Sequence, residues 1–353
     1  MKISEKFDPR FAWRAVELAA RGEGHTRPNP PVGAVIVRGG KIVGEGWHRR
    51  CGGDHAEVAA IKDAARRGES VRGATLYVTL EPCSRPGRVG ACTDAIAAAG
   101  IGRVAFAVRD PNPVNSGRAG RVLSRAGVEC AVPSRANTLE GKWDPSGGMA
   151  SALAAARRLI APFAKYVTTG MPYVTVKLAM SLDGKICDGR GDAKWISSAK
   201  ARKITGRERE RVDAIMVGAE TVRRDNPSLL SHGRRNDDLI RVVVSRSGRL
   251  PKDAQVFTDG APNKTLVFAD AEKALDVLGG MGVMHVLCEG GMKLATSLAD
   301  ADLVDEWISV SAPVVIGSRR IAGALRFSRL GTEFVGDGDA IGRYRLASRP
   351  QPE

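Results

Sequence analysis

The chain is short of the features that mark several specialised protein classes. Aromatic residues make up only 5% of its 353 positions, and the arginines are scattered rather than interleaved with rings, which argues against a single-strand nucleic-acid binder. No stretch approaches the roughly 20 consecutive apolar residues that cross a bilayer. The opening "MKISEKFDPRFAWRAVELAARGEG" has no apolar run of secretory-signal type, so a cytoplasmic protein with no membrane partner is expected. Six cysteines (51, 83, 92, 130, 187 and 288), spread over such a length, do not form a dense disulfide scaffold. There is no internal repeat and no low-complexity tract. No G-x-G-x-x-G follows a strand pattern, so an ordinary dinucleotide-binding turn is not supported.

What is present reads as a globular chain of two domains, with 43% hydrophobic and 26% charged residues. A formal charge of +15 suits an anionic partner, and nucleic acid, a phosphorylated metabolite or a dinucleotide would all satisfy it. Asp8 and Pro9 predict an N-cap and first helical position, with Gly22 closing the helix. "VGAVIVRGGKIVGEGWH" alternates about Gly39-Gly40 as a β-hairpin does. Helix "HAEVAAIKDAARRG", strand "GATLYVTL", helix "CTDAIAAAG" and strand "GRVAFAVRD" follow, and then "AGRVLSRAG" and "VECAV". That order predicts an α/β sandwich over residues 1–133. The stretch "PSRANTLEGKWDPSGGMA" is rich in Pro, Gly and Ser, so residues 134–171 are expected to be a linker or insertion. A second α/β domain is expected over 172–353. It opens with strand "YVTVKLAMSLDGK", helix "SSAKARKITGRERERV" and the strand-helix-Pro run "DAIMVGAETVRRDNP".

The densest chemistry lies in the first half. His55 and Glu57 open a helix after the Gly-rich "CGGD", and Pro82-Cys83 ends a strand nine positions before Cys92. One imidazole and two thiolates are good zinc donors, and three protein ligands leave a fourth position open, the layout of a catalytic site. Such an ion makes hydroxide available near neutrality, and Glu57 would carry its proton. Three other readings stand beside this one. His-x-Glu also suits a solvated first turn, Cys51 or His48 would make the zinc structural by closing its shell, and the two thiols could form a redox pair. The spacing is not the C-x-x-C of a thioredoxin-like motif.

"HAE" followed by "LEPC" resembles the zinc nucleoside-deaminase superfamily, whose general pattern is H-x-E then P-C-x-x-C. The longer C-x8-C gap, with "RPNPPVGAVIV", "GEGWH" and "RDPNP", resembles the bifunctional deaminase-reductase family of riboflavin synthesis over nearly the whole chain. The resemblance implies a cytidine-deaminase-like α/β/α sandwich that removes an amine from a diaminopyrimidinone carrying a ribosylamino 5-phosphate. His55, Cys83 and Cys92 would be the Zn2+ ligands and Glu57 the proton carrier. Asn29, His48 and Arg88 would contact substrate. Arg85 stands where the family has a histidine, either as a substituted contact or as a loop charge, and Gly90-Ala91 replaces a usual Pro-Pro. A nucleic-acid deaminase, which the charge would suit, is disfavoured by the cysteine spacing and by the second half.

Read from residues alone, the second half offers "VLCEGG" before the helix "MKLATSLADADL", a turn at which backbone N–H groups can approach phosphate. "VKLAMSLDGK", "KWIS", "AETVRRDNPSLL" and "EGG" stand in the order of the family's reductase half, so the resemblance implies a dihydrofolate-reductase-like fold, NADPH, and reduction of the ribosyl group to ribityl. Lys177 and Asp225 are the matched catalytic candidates. Arg209, Leu229, His232 and Glu289 match substrate positions. Trp195, Thr221 and Asp225 match cofactor positions, as do Gly291, Met292, Lys293, Leu294, Ala295, Thr296 and Ser297. Trp195 also suits a core anchor and Arg209 a surface charge. Ala193, His232 and Ser245 depart from the usual serine, arginine and aspartate, which keeps a non-catalytic second domain in play. Reductase domains of this type often pair, so the resemblance implies a homo-oligomer.

Overall fold

The computed structural model describes residues 8–85, 90–131, 148–181, 184–187, 196–231, 239–260, 265–312, 327–334 and 340–346. The chain divides into two compact units, Met1–Thr169 and Gly170–Glu353.

In the first unit, α1 (Pro9–Ala20) begins as the sequence predicts: the Asp8 carboxylate accepts from Arg10 N at 2.9 Å, and Pro9 takes the first helical position. A cap of this kind contributes about 1 kcal/mol. β1 (Gly33–Arg38) and β2 (Lys41–Trp47) form the expected hairpin. Gly39 and Gly40 have φ of 57° and 75°, the left-handed pair that a two-residue turn needs. Then follow α2 (Ala56–Arg66), β3 (Thr75–Leu80), α3 (Cys92–Ala98), β4 (Arg103–Val108), α4 (Ala119–Arg125) and β5 (Glu129–Ala131). The sheet order is β2-β1-β3-β4-β5, with β1 antiparallel to both neighbours and β3, β4 and β5 parallel.

Strand periodicity divides the core into two layers. Ala34, Ile36, Leu76, Val78, Val104 and Phe106 face Ala56 and Ala60 of α2, Ile96 of α3 and Leu123 of α4. Their neighbours Val35, Val37, Tyr77 and Ala105 face Ala15 and Leu18 of α1 on the other side. The result is the expected α/β/α sandwich.

One expectation is corrected. Residues 148–169, read as part of a linker, form the 22-residue helix α5 (Gly148–Thr169). Its Ala152, Ala155, Ala156 and Leu159 bury against Trp13, Val16 and Ala19 of α1. An alanine-rich sequence with a continuous apolar face sustains the helix despite Pro162. Residues 132–147 lie outside the described residues.

The second unit contains β6 (Tyr173–Ser181), α6 (Ala199–Gly206), a 3-10 turn (Arg207–Glu210), β7 (Ala214–Gly218), α7 (Ala219–Asp225), β8 (Ile240–Val244), α8 (Gln255–Thr258) and β9 (Thr265–Phe268). α9 (Ala271–Gly280), β10 (His285–Cys288), α10 (Met292–Asp300), β11 (Glu306–Ala312), β12 (Phe327–Phe334) and β13 (Ala340–Leu346) complete it. The charged helix predicted from "SSAKARKITGRERERV" is capped by Ser198 as expected but stops at Gly206, and the remainder tightens into the 3-10 turn.

The sheet runs β12-β13-β11-β6-β10-β7-β8-β9. It is parallel from β11 to β9 and antiparallel at the β12-β13 hairpin edge. One face packs Val174, Val176, Met216 and Val286 against Leu275 and Leu278 of α9 and Ala295 and Leu298 of α10. The other face buries Ile215, Val217, Val243 and Leu287. Parallel strands covered on both faces read as nearly continuous apolar runs, as "IRVVV" and "HVLC" do. Among the described residues no helix is long and apolar enough to cross a membrane.

Candidate active sites

Three elements of the first unit bring its polar residues together. His55 is the N-cap residue of α2, with extended backbone (φ −69°, ψ 160°). Cys83 follows the end of β3, and Cys92 is the first residue of α3. The ligand atoms of His55, Cys83 and Cys92 all lie within 4.8 Å of one another, and this is the only such group among the described residues. His55 Nδ1 is 3.1 Å from Cys92 Sγ and 3.5 Å from Cys83 Sγ, and Cys92 N donates to Cys83 Sγ at 3.3 Å. The hydrogen bond from Cys92, then that from His55, pulls the Cys83 thiol down to about 4 against its burial. The bond to Cys83, and then burial, pushes Cys92 up. Its hydrogen bond with Cys83 raises His55.

This donor set fits zinc: one imidazole and two thiols converge, and no fourth ligand joins them among the described residues. The two residues that would have made the site structural stand apart. Cys51 is outside the group, and both ring nitrogens of His48 are engaged elsewhere. His48 Nδ1 is 2.9 Å from the Asp54 carbonyl, which can only accept, so that nitrogen carries the proton. Nε2 therefore accepts from Asn29 Nδ2 at 3.1 Å. Burial lowers His48, consistent with this neutral form.

Glu57, in the first turn of α2, is 3% exposed. Burial raises its carboxyl above the usual carboxylate range, and the hydrogen bond from its own backbone N–H pulls the other way. A buried carboxyl beside the ligand group is equipped to take up and release a proton. Arg85 is exposed where the next loop begins. Arg88 lies outside the described residues.

Sequence reasoning missed what stands behind these residues. Glu81 of "LEPC" is 3% exposed, and its carboxylate accepts from Asp110 N (3.1 Å), Gly117 N (3.0 Å) and Ala119 N (3.1 Å). It thereby ties the end of β3 to the start of α4. The signal was in the quoted motifs "LEPC" and "RDPNP", but nothing local says that they touch.

In the second unit, Arg209 of the 3-10 turn reaches Glu289 at the end of β10, with Nη2–Oε2 2.5 Å and Nε–Oε2 3.2 Å, and its Nη1 donates to Leu230 O at 2.9 Å. The ion pair is shielded, with side chains 18% and 11% exposed. Two matched substrate residues are thus adjacent. Lys177 is half-buried on β6, Thr221 half-buried on α7, and Asp225 exposed at the end of α7.

Three matched residues present no side chain to a ligand. Leu229, at φ 57°, is 1% exposed within the core cluster of Val222 and Leu239. Leu294 and Ala295 turn into the core beneath α10, and their N–H groups return to Gly291 O at 3.0 and 3.2 Å. In a helix, seven consecutive positions cannot all face one ligand. Gly291 is the N-cap of α10, and Met292, Lys293, Thr296 and Ser297 line an open hollow along its flank. Gly290 answers to packing instead: a Cβ there would sit 2.7 Å from Leu294 Cδ2 and 3.3 Å from Gly218 N. Ser245, 4% exposed after β8, has a buried hydroxyl with no hydrogen-bond partner among the described residues. Trp195, His232 and Ala193 lie outside them.

Fold and site define a class of protein: a zinc-type deaminase unit followed by an α/β reductase unit. Residues 5–108 match the cytidine and deoxycytidylate deaminase zinc-binding region, and residues 172–335 match the RibD C-terminal domain. The riboflavin biosynthesis protein RibD of Aquifex aeolicus is 35% identical over 343 residues, 91% of each chain. That of Bacillus amyloliquefaciens is 38% identical over 333 residues, 86% of this chain and 84% of its own. A solved structure from Thermotoga maritima, described as a diaminohydroxyphosphoribosylaminopyrimidine deaminase/5-amino-6-(5-phosphoribosylamino)uracil reductase, superposes with a TM-score of 0.82 at 34% identity, covering 96% of this chain and 98% of its own. The chain belongs to the RibD family of riboflavin biosynthesis proteins. It is an enzyme with a deaminase and a reductase domain that acts on a small molecule, and zinc in the first domain and NADPH in the second fit these matches.

Proposed function

We propose that the first unit removes an amine as ammonia from a diaminopyrimidinone bearing a ribosylamino 5-phosphate, and that the second reduces the ribosyl group of the product to ribityl. The convergence of His55, Cys83 and Cys92 beside the buried Glu57 carries this reading. His55, Cys83 and Cys92 would hold zinc, which supplies hydroxide near neutrality when bound. The Glu57 carboxyl takes one proton from water and gives it to the ring nitrogen, then takes the second from the added hydroxyl and gives it to the amine as the C–N bond breaks and ammonia leaves. The His48 tautomer fixes the Asn29 amide, so that its Nδ2 faces the imidazole and its oxygen is oriented for a polar pyrimidine edge. Arg85, with Arg88, offers charge to the phosphate.

In the second unit NADPH, when bound, would supply a hydride to the sugar carbon that bears the amine, while the ring C–O bond at that carbon breaks and its oxygen takes up a proton. Arg209, held side-on by Glu289, presents a fixed guanidinium to the sugar phosphate end of the substrate. Lys177 and Asp225 are the proposed proton-handling groups, Thr221 flanks the cofactor, and the start of α10 at Gly291 with Lys293, Thr296 and Ser297 faces its phosphates. The substrate is a phosphorylated small molecule, not nucleic acid, and the +15 charge then serves phosphate capture. Six cysteines with free thiols suit a reducing cytoplasm. The test offers purified protein the diaminopyrimidinone phosphate and, separately, deoxycytidylate. Ammonia from the first substrate alone is the expected result, and release from deoxycytidylate alone would overturn the assignment.

A further inference from the structure

The backbone on either side of Cys83 is held by one distant loop. Glu81, two residues before it, gathers the N–H groups of Asp110, Gly117 and Ala119. Ser84, directly after it, is held by Asn115, whose Oδ1 accepts from Ser84 N at 2.9 Å and from Ser84 Oγ at 3.1 Å. Asp110 joins the two ends: its Oδ1 accepts from Asn112 N at 2.8 Å and its Oδ2 from Asn115 Nδ2 at 2.8 Å. Because a carboxylate only accepts, Asp110 fixes which way the Asn115 amide points and turns Oδ1 to Ser84. Asn115 and Asp110 are 8% and 9% exposed, so water competes little for these bonds. On its other side Cys83 is held by α3, where its carbonyl accepts from Thr93 N at 3.1 Å.

We propose that Asn115, oriented by Asp110, is a positioning residue for the metal ligand Cys83. By pinning Ser84 it fixes the chain where the thiolate leaves β3 and where the loop carrying Arg85 begins. This rests on the reading of His55, Cys83 and Cys92 as the zinc group. A ligand whose chain is anchored on both sides, at Glu81 and at Ser84, keeps its sulfur aimed at the shared point without reorganising when the metal enters. Outer partners of metal ligands typically set affinity by about 10- to 100-fold.

The test measures zinc affinity of the full chain by competition with a chromophoric chelator, together with the thiolate absorption of the cobalt-substituted protein. Asn115→Val should weaken zinc about 10- to 100-fold and alter the cobalt spectrum. The swap Asp110→Asn/Asn115→Asp reverses donor and acceptor but preserves every bond in the chain, and should recover most of the affinity. Ser84→Ala, which removes one of the two contacts and leaves the loop in place, should cost about fivefold and serves if Asn115→Val does not fold. Wild-type affinity in both Asn115→Val and Ser84→Ala, or a swap no tighter than Asn115→Val, overturns the proposal. A wild-type chain that binds no zinc would instead overturn the reading of the ligand group itself.

Discussion

His48 stands edge-on to His55, with ring centroids 5.3 Å apart and planes at 79°. The contact joins a residue that holds Asn29 to one of the three convergent metal-type ligands, so the ligand group and the proposed substrate contacts share one wall. His48→Phe keeps the edge contact and removes the bonds to Asn29 and the Asp54 carbonyl. Ammonia release should fall about tenfold in kcat/KM, equivalent to about 1.4 kcal/mol, with metal content unchanged in elemental analysis.

Glu57→Gln preserves shape and removes the titrating group from a position that is 3% exposed. Deamination should drop by about 10²- to 10⁴-fold, while metal content and NADPH oxidation with the deaminated intermediate stay at wild-type levels. Ammonia release at the wild-type rate would remove Glu57 from the proton path.

Arg209→Lys exchanges a planar fork for a point charge and loses the side-on contact with Glu289. The KM for the deaminated intermediate should rise about tenfold or more, as expected for loss of a charge-assisted pair of bonds, and ammonia release should not change. A KM unaltered by the substitution would make Arg209 a structural charge only.

His285 is half-buried at the start of β10, with Nε2 2.8 Å from Thr175 Oγ1, and burial lowers it to about 4. Its folded pKa lies below the ordinary value of 6.5, so the unfolded chain takes up the proton first as pH falls. Stability is unaffected above about pH 6.5 and declines from there down to about pH 4. Between pH 7 and pH 5 the loss is about 2 kcal/mol. Denaturant unfolding at both pH values checks it, and His285→Gln should flatten the difference by about that amount.

Much of the first unit is legible in the sequence because its signals are local. The short apolar runs "GAVIV" and "TLYVTL", the Gly39-Gly40 turn and the Asp8-Pro9 cap each determine their own element. His55 and Cys92 begin helices and Cys83 follows a strand, so the three ligands fall at boundaries that sequence reading can find. α5 escaped because Pro162 and the Pro/Gly/Ser-rich stretch before it resemble a break, whereas the packing of its alanines against α1 decides the outcome. Leu229, Leu294 and Ala295 match ligand positions yet turn their side chains into the core, because a matched position does not say which way a side chain turns. The contacts of Glu81 and Asn115 span about thirty residues or more and leave no periodic trace.

Metal removal tests the two-site account most directly. Protein stripped by chelator and given the diaminopyrimidinone phosphate should release no ammonia, yet should oxidise NADPH at the untreated rate when given the deaminated intermediate. Restoring one zinc per chain should restore ammonia release. Full ammonia release from metal-free protein, or loss of both activities with the fold intact, would contradict it.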